Sequence, residues 1–248
     1  MTDRYHHYES IIDCVEASID LITNLDKKLC FDAHYLEHEF IPKIGLNDEG
    51  LNQQPEELAP FFGQGLHLWQ YPSQLAKVLV WLAYNAHKTR RYMEIGSRWG
   101  GTFILISEWL KKIGAPLDIS ISVDPIQEPP FIRRYREISN CPVYYINSLS
   151  TSVEFGAFLN SSRPDFVFID GDHSMRGVMS DHLKVRKFAD IILHHDVSSL
   201  ACPDTTLFWQ YIKQAEDQFD PFEFVDQYPS VQGRFLGFGV LKRKVSIR

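Results

Sequence analysis

The sequence predicts an α/β fold, a doubly wound sheet of parallel strands covered by helices on both faces, behind an N-terminal helical extension. Three observations predict it. From Arg91 onward, short apolar runs alternate with helix-like runs, the rhythm of parallel strand–helix–strand units. In "RYMEIGSRWGGTF" the first apolar run stops at glycine and a helix-like run follows from Thr102, which marks a nucleotide-type site in an α/β sheet. Near the end the rhythm breaks. "FEFVDQYP" and "FLGFGVLKR" lie close enough to pair as an antiparallel ribbon at the sheet edge.

Each element follows from its residues. Residues 8–30 read as a helix, because Ile11, Val15, Ser18, Ile22, Leu25 and Leu29 recur at spacings of four and three and make one stripe. That stripe either packs on the main body or forms the seam of a homo-oligomer. Residues 40–72 are rich in Pro, Gly, Asn and Gln and read as a loop or lid. Phe61, Phe62, Trp69 and Tyr71 beside it are placed either to stack on a sugar or ring or to join the core. A helix runs from Pro72-Ser73 to about His87, with Leu75, Val78, Leu79, Leu82 and Ala83 inward. Strands follow at Tyr92–Ile95, Ile119–Val123, Val143–Ile146, Phe166–Ile169 and Ile191–Leu193. Helices fall near 101–112, 131–138, 150–159, 174–187 and 204–218. The expected division is an extension with a lid-like loop over 1–70 and a main domain over 71–248.

Bulk properties narrow the function classes. With 248 residues and 44% hydrophobic content, the chain builds one substantial core. A net charge of −7 argues against a dominant phosphate-binding face, and so against a nucleic-acid partner. Cys14, Cys30, Cys141 and Cys202 are scattered with no CxxC pair, which reads as reduced thiols rather than disulfides or a zinc site. "MTDRYHHYES" lacks the apolar core of a signal peptide, and "VLVWLAY" is far too short to span a bilayer. A cytoplasmic protein with no membrane partner is expected.

The glycine loop is not a dinucleotide fingerprint. Arg98 stands where the second glycine of G-x-G-x-x-G belongs, and the spacing is Gly96-x-x-x-Gly100-Gly101. Glu94 precedes the loop, and an anion there repels phosphate and favours a cationic ligand. S-adenosylmethionine carries a sulfonium and an ammonium and no phosphate, so it fits; a generic turn with a surface Glu is the alternative. Asp124 ends the next strand, where a carboxylate can accept both ribose hydroxyls of an adenosine. Asn147-Ser148 end the third strand, and Ser148 either bonds the adenine edge or caps the following helix.

E-x-G-x-x-x-G, an acid ending strand two and "PDFVFIDGDHS" ending strand four together resemble the class I S-adenosylmethionine-dependent methyltransferases, over roughly residues 72–245. Within that class, "FVFIDGDHS" followed by "IILHHDV" looks like the small-molecule O-methyltransferases, including catechol-type and macrolide-sugar enzymes, many of which use a divalent metal. The resemblance implies a Rossmann-like sheet of seven strands with the last antiparallel, and methyl transfer to a hydroxyl of a sugar, phenol or natural product. The cofactor-binding candidates are then Glu94, Gly96, Ser97, Gly100, Asp124, Ser148 and Asp170.

Asp170 ends strand four and His195-Asp196 end strand five, so a doubly wound sheet brings them to one edge. Two carboxylates and one imidazole suit Mg²⁺ or Mn²⁺. Asp170 and Asp196 match the metal-dependent pattern, whereas His195 departs from it, since the relatives more often carry Asp, Glu or Asn there. Ordinary polar strand ends are the alternative, with Asp196 capping the next segment. His173 lies three residues after Asp170, the spacing at which the macrolide-sugar relatives place a base. Asp170 and His173 are therefore the catalytic candidates, and Asp172 is a further ligand or a helix cap. "EPPF" at Glu128–Phe131 follows strand two and reads as a turn, and "RRYR" at Arg133–Arg136 reads as a solvated helix face. Two rivals stand beside the O-methyltransferase: a metal-dependent hydrolase, which leaves Glu94 and Asp124 unexplained, and a non-catalytic binding module on the same fold.

Overall fold

The structure of the protein, a computed structural model, describes residues 8–48 and 54–244. Its seven strands are β1 (Arg91–Ile95), β2 (Ile119–Asp124), β3 (Val143–Asn147), β4 (Phe166–Ile169), β5 (Ile191–His195), β6 (Phe219–Phe224) and β7 (Phe238–Arg243). They form one sheet in the order β3-β2-β1-β4-β5-β7-β6. β1 to β5 pair in parallel, and β7 is antiparallel to both of its neighbours, so β7 alone is reversed. The expected seven-stranded α/β fold is thus present.

The longer helices are α1 (Tyr8–Asn24), α2 (Pro72–Asn85), α3 (Gly101–Lys112), α4 (Pro130–Ile138), α5 (Val153–Ser162), α6 (Met175–Val185) and α7 (Pro203–Ala215). Strand alternation splits the core in two. Tyr92, Phe166, Phe168 and Leu193 face a layer with Val15, Ile22, Leu75, Leu79, Phe103 and Ile132 from α1 to α4. Met93, Ile95, Val167 and Ile192 face the other layer, with Phe155, Val178, Phe208 and Trp209 from α5 to α7. Burial on both faces is why β4 reads as an unbroken apolar run.

The N-terminal stripe turns inward. Val15, Ser18, Ile22 and Leu25 are buried against α3 and α4, while the side chain of Ile11 lies outside what is described. Lys112 Nζ donates to the Thr23 carbonyl, and Arg134 pairs with Glu16. The helix stops at Asn24 rather than 30, because the Asp26 side chain accepts from Lys28 N–H and starts a separate 3₁₀ turn at Lys27–Phe31. The stretch expected to be irregular is partly ordered. Ile41–Ile44 is helical, Glu56–Phe61 is a 3₁₀ turn, and Leu46 bridges to Phe62 and Leu68. Leu46, Leu66 and Leu68 are buried, so apolar side chains tie this loop to the body despite its turn-rich composition.

Two boundaries differ from expectation. β6 starts at Phe219, not at Phe222, and includes Pro221, which is tolerated because β6 is the edge strand. α5 starts at Val153 because Ser152, not Ser148, caps it: the Ser152 hydroxyl accepts from Phe155 N–H at 3.0 Å.

Candidate functional site

The strand order changes direction between β1 and β4, since β1 leads outward to β2 and β3 on one side and β4 lies on the other. In open α/β sheets ligands sit in the crevice at such a point. Register fixes what meets there. Ile95 pairs with Ile169 and Ile169 with His194, so the next residues, Gly96, Asp170 and His195, emerge side by side.

The glycine loop abuts the β4 end closely. A Cβ on Gly96 (φ 87°) would sit 2.1 Å from the Asp170 carbonyl oxygen. Glycine at 96 therefore serves the junction of two strands before it serves any ligand. Gly100, also left-handed at φ 91°, leads into α3, where a Cβ would strike Ile132. Ser97 is buried with its hydroxyl 2.5 Å from that of Ser122. Asp124 accepts from the backbone N–H of Arg98 at 2.8 Å and of Ile126 at 3.0 Å, which holds its carboxylate against the same loop. Trp69 lies under the Arg98 guanidinium at 4.8 Å from the ring centroid.

Glu94 is not at the surface. It is 2% exposed, and Tyr92 Oη donates to it at 2.6 Å. Burial pushes its carboxyl well above the usual range against the pull of that hydrogen bond, which favours the neutral form. The sequence presented it as an anion facing a ligand; strand alternation turns it instead toward Tyr92 and the α1–α4 core layer. Ser148 is half-buried, and its hydroxyl lies 2.7 Å from that of Ser152.

The expected metal ligands converge. Ligating atoms of Asp170, His195 and Asp196 lie within 4.8 Å of one another. His195 Nδ1 is 3.1 Å from Asp170 Oδ1 and 3.6 Å from Asp196 Oδ2. Burial disfavours the imidazolium, but the two carboxylates push its pKa up to about 10. Asp170 and Asp196 are in turn held low by His195, against their burial. His195 Nε2 is buried with no hydrogen-bond partner, so Nδ1 carries the whole polar duty of the ring. The donor set fits a divalent cation, which would take over from the Nδ1 proton the task of neutralising two buried carboxylates.

His173 completes the cluster. Its Nε2 is 3.4 Å from both Asp170 Oδ1 and Asp196 Oδ2, and the Asp170 hydrogen bond raises its pKa although burial opposes it. Asp172 accepts from Ser174 N–H, while Ser174 caps α6 by accepting from Gly177 N–H. Asp196 has φ 55°, and Thr206 Oγ1 donates to its carbonyl at 3.1 Å. Cys202 was missed by sequence reasoning. Its thiol donates to Asp196 Oδ2 at 3.3 Å and lies 3.4 Å from His173 Nδ1. The available signal was its place just before Pro203, the helix-starting proline that brings the chain back over β5.

A sheet in this order, with its seventh strand alone reversed, matches what the sequence resemblance implied. Its strand order and single reversal are those of a Rossmann-like methyltransferase sheet. No protein-family profile and no curated protein matches the chain. Solved structures with the methyltransferase fold do. The MycE methyltransferase of the mycinamycin pathway, in complex with Mg, SAH and mycinamycin VI, is 15% identical over 74% of this chain and 52% of that one, with a TM-score of 0.47. This chain thus spans about half the length of that protein. CalS11, a TDP-rhamnose 3'-O-methyltransferase of calicheamicin biosynthesis, is 11% identical over 93% of both chains at a TM-score of 0.48. The CMeT domain of the citrinin polyketide synthase is 11% identical over 95% of this chain and 66% of that one at 0.49.

Proposed function

We propose that this chain transfers a methyl group from S-adenosylmethionine to a hydroxyl of a small molecule or sugar, with help from a divalent cation. The reading rests on one observation: the glycine loop after β1 and the Asp170–His173–His195–Asp196 cluster are a single place, joined where Gly96 lies against the Asp170 carbonyl. A site that places an adenosine-type carboxylate beside a proton acceptor and a cation-binding set suits an alkylation of oxygen.

The residues divide the work. Asp124, oriented by two backbone N–H groups, keeps lone pairs for ribose hydroxyls. The loop of Ser97 to Gly100 sets the floor against which the cofactor lies. Asp170, His195 Nδ1 and Asp196 would hold Mg²⁺ or Mn²⁺. Bound there, such an ion would supply Lewis acidity to the acceptor oxygen. His173, half-exposed at the mouth, takes the hydroxyl proton through Nε2, the nitrogen that Asp170 and Asp196 flank. We assign these steps to residues 71–248, with residues 1–70 as an extension whose described helix, Tyr8–Asn24, packs against α3 and α4.

Two measurements test this. Calorimetry with S-adenosylhomocysteine should show binding by the wild-type chain. Methyl transfer from labelled S-adenosylmethionine to a panel of hydroxylated acceptors should stop with EDTA and return with added Mg²⁺ or Mn²⁺. Full transfer in EDTA removes the cation from the mechanism. No binding of S-adenosylhomocysteine removes the methyltransferase reading and leaves a hydrolase to be sought.

A further inference from the structure

Two donor sets overlap where β4 and β5 end. The first is Asp170, His195 and Asp196. The second is His173, Asp196 and Cys202, whose ligating atoms also lie within 4.8 Å of one another. The two share Asp196, and they differ in chemistry. The first is mainly oxygen with one buried imidazole. The second holds a thiol, an imidazole and a single carboxylate.

The second set is assembled by structure rather than by chance proximity of mobile side chains. Asp196 comes from the end of β5 and His173 from the loop after β4. Cys202 is the residue before α7, and the first turn of that helix is tied to both partners. Thr205 Oγ1 donates to the His173 carbonyl at 3.2 Å, and Thr206 Oγ1 donates to the Asp196 carbonyl at 3.1 Å. Sγ therefore stands 3.4 Å from His173 Nδ1 and 3.3 Å from Asp196 Oδ2. One sulfur, one nitrogen and one oxygen donor favour ions of intermediate softness over Mg²⁺, and three protein ligands leave a fourth tetrahedral position open. His173 is 42% exposed at its side chain, so an ion reaches the set from solvent.

We propose that His173, Asp196 and Cys202 form a second cation position, for a divalent ion of the Zn²⁺ class, overlapping the first through Asp196. Binding forms a metal–sulfur bond and releases the thiol proton to solvent, with no change of oxidation state. His173 enters as the neutral imidazole through Nδ1, the nitrogen that faces the thiol. An ion there removes His173 from proton transfer, so it acts as an inhibitor of the reaction proposed above. The inhibition rests on that reading; the cation site itself does not.

The test is spectroscopic and needs no acceptor. With excess Mg²⁺ present, Co²⁺ is titrated into wild type and Cys202→Ser, and Zn²⁺ affinity is measured by competition with a chromophoric chelator. Wild type should develop a thiolate-to-cobalt charge-transfer band that saturates at one equivalent and is absent from Cys202→Ser. Zn²⁺ should bind wild type more than about tenfold tighter than Cys202→Ser, the loss that even an outer partner of a bound metal brings. His173→Gln should lose as much with the thiol still in place, which separates ligation from general damage. No band in wild type, a band that survives Cys202→Ser, or equal Zn²⁺ affinities in all three proteins overturns the site. Binding of S-adenosylhomocysteine is scored separately in the same samples. Its absence from wild type sinks the methyl-transfer reading while a cobalt–thiolate band still upholds the cation position.

Discussion

Asp124 and Glu94 are both carboxylic acids beside the glycine loop, and the structure gives them different surroundings. Asp124 is fixed at the end of β2 by the Arg98 and Ile126 N–H groups. Asp124→Ala should weaken S-adenosylhomocysteine by more than about tenfold, since hydrogen bonds to a charged group contribute on the order of 1.5–3 kcal/mol. A loss under about threefold by calorimetry places Asp124 outside the site. Glu94 is a buried acid held by Tyr92, and burial favours its neutral form. Glu94→Gln keeps the acceptor for Tyr92 and should leave the melting temperature nearly unchanged. Glu94→Lys forces a charge into the core and should cost several kcal/mol, roughly the penalty of burying an unpaired ion. Equal melting temperatures for the two variants would show that the position is open to water.

At the scale of elements, the caps and turns that aim the loops are testable one by one. Gly96→Ala strains a left-handed residue and pushes a methyl onto the Asp170 carbonyl, so it should cost roughly 1–3 kcal/mol and disturb cofactor and cation binding together. An unchanged denaturation midpoint would contradict that junction. Ser152→Ala and Ser174→Ala each remove a helix cap worth about 1 kcal/mol. Only Ser174 follows the His173 loop directly, so only that variant should also reduce turnover. The strands and most helices were legible because apolar runs and helix starts are local signals. α3 reads end to end as 101–112, Asp170, His195 and Asp196 follow from their strand ends, and His173 from its spacing after Asp170. What was not legible depends on distant partners. Cys202 acquires its meaning from His173 and Asp196 across space, and the neutral form of Glu94 is favoured by core layers the chain builds far away in sequence. Ser152 displaced Ser148 as cap because the turn after β3 runs on before the helix begins, and turn chemistry alone does not fix that length.

For the whole molecule, stability follows pH through its shifted groups, and three of them carry distinct signatures. Burial pushes the Asp181 carboxyl up to about 6. A raised acid costs stability once ionised, so the penalty is absent below 3.8, grows toward pH 6 and is full above it. The difference between 3.8 and about 6 corresponds to roughly 3 kcal/mol at most. His195, raised to about 10, contributes fully below 6.5 and loses that contribution as pH climbs to 10 in chelator. Glu216 is lowered to about 2 by the His182 and Arg186 donors, so its contribution is present above 4.5 and is lost as pH falls through 2. The Asp181 contribution should therefore fall from pH 4 to 6, and that of His195 above 6.5. Asp181→Asn should raise the melting temperature at pH 7 and give little gain at pH 4. A gain of the same size at both pH values would rule out ionisation as the cause.

The reversed strand also sets a timetable for synthesis. β7 lies between β5 and β6 yet follows both along the chain, and β6 has no other ladder partner. A ribosome working at about 5–20 residues per second needs roughly 2–10 s to go from His195 to Arg243. During that interval the nascent chain already carries the glycine loop, Asp124 and Asp170, while the outer edge of β5 stands bare. A bare edge strand is a template for pairing with another chain. The residues that complete the candidate cation set, His195 and Asp196, sit on and just past that edge. Translation pauses or crowding in this window would thus produce mispaired, inactive protein from a fully correct sequence.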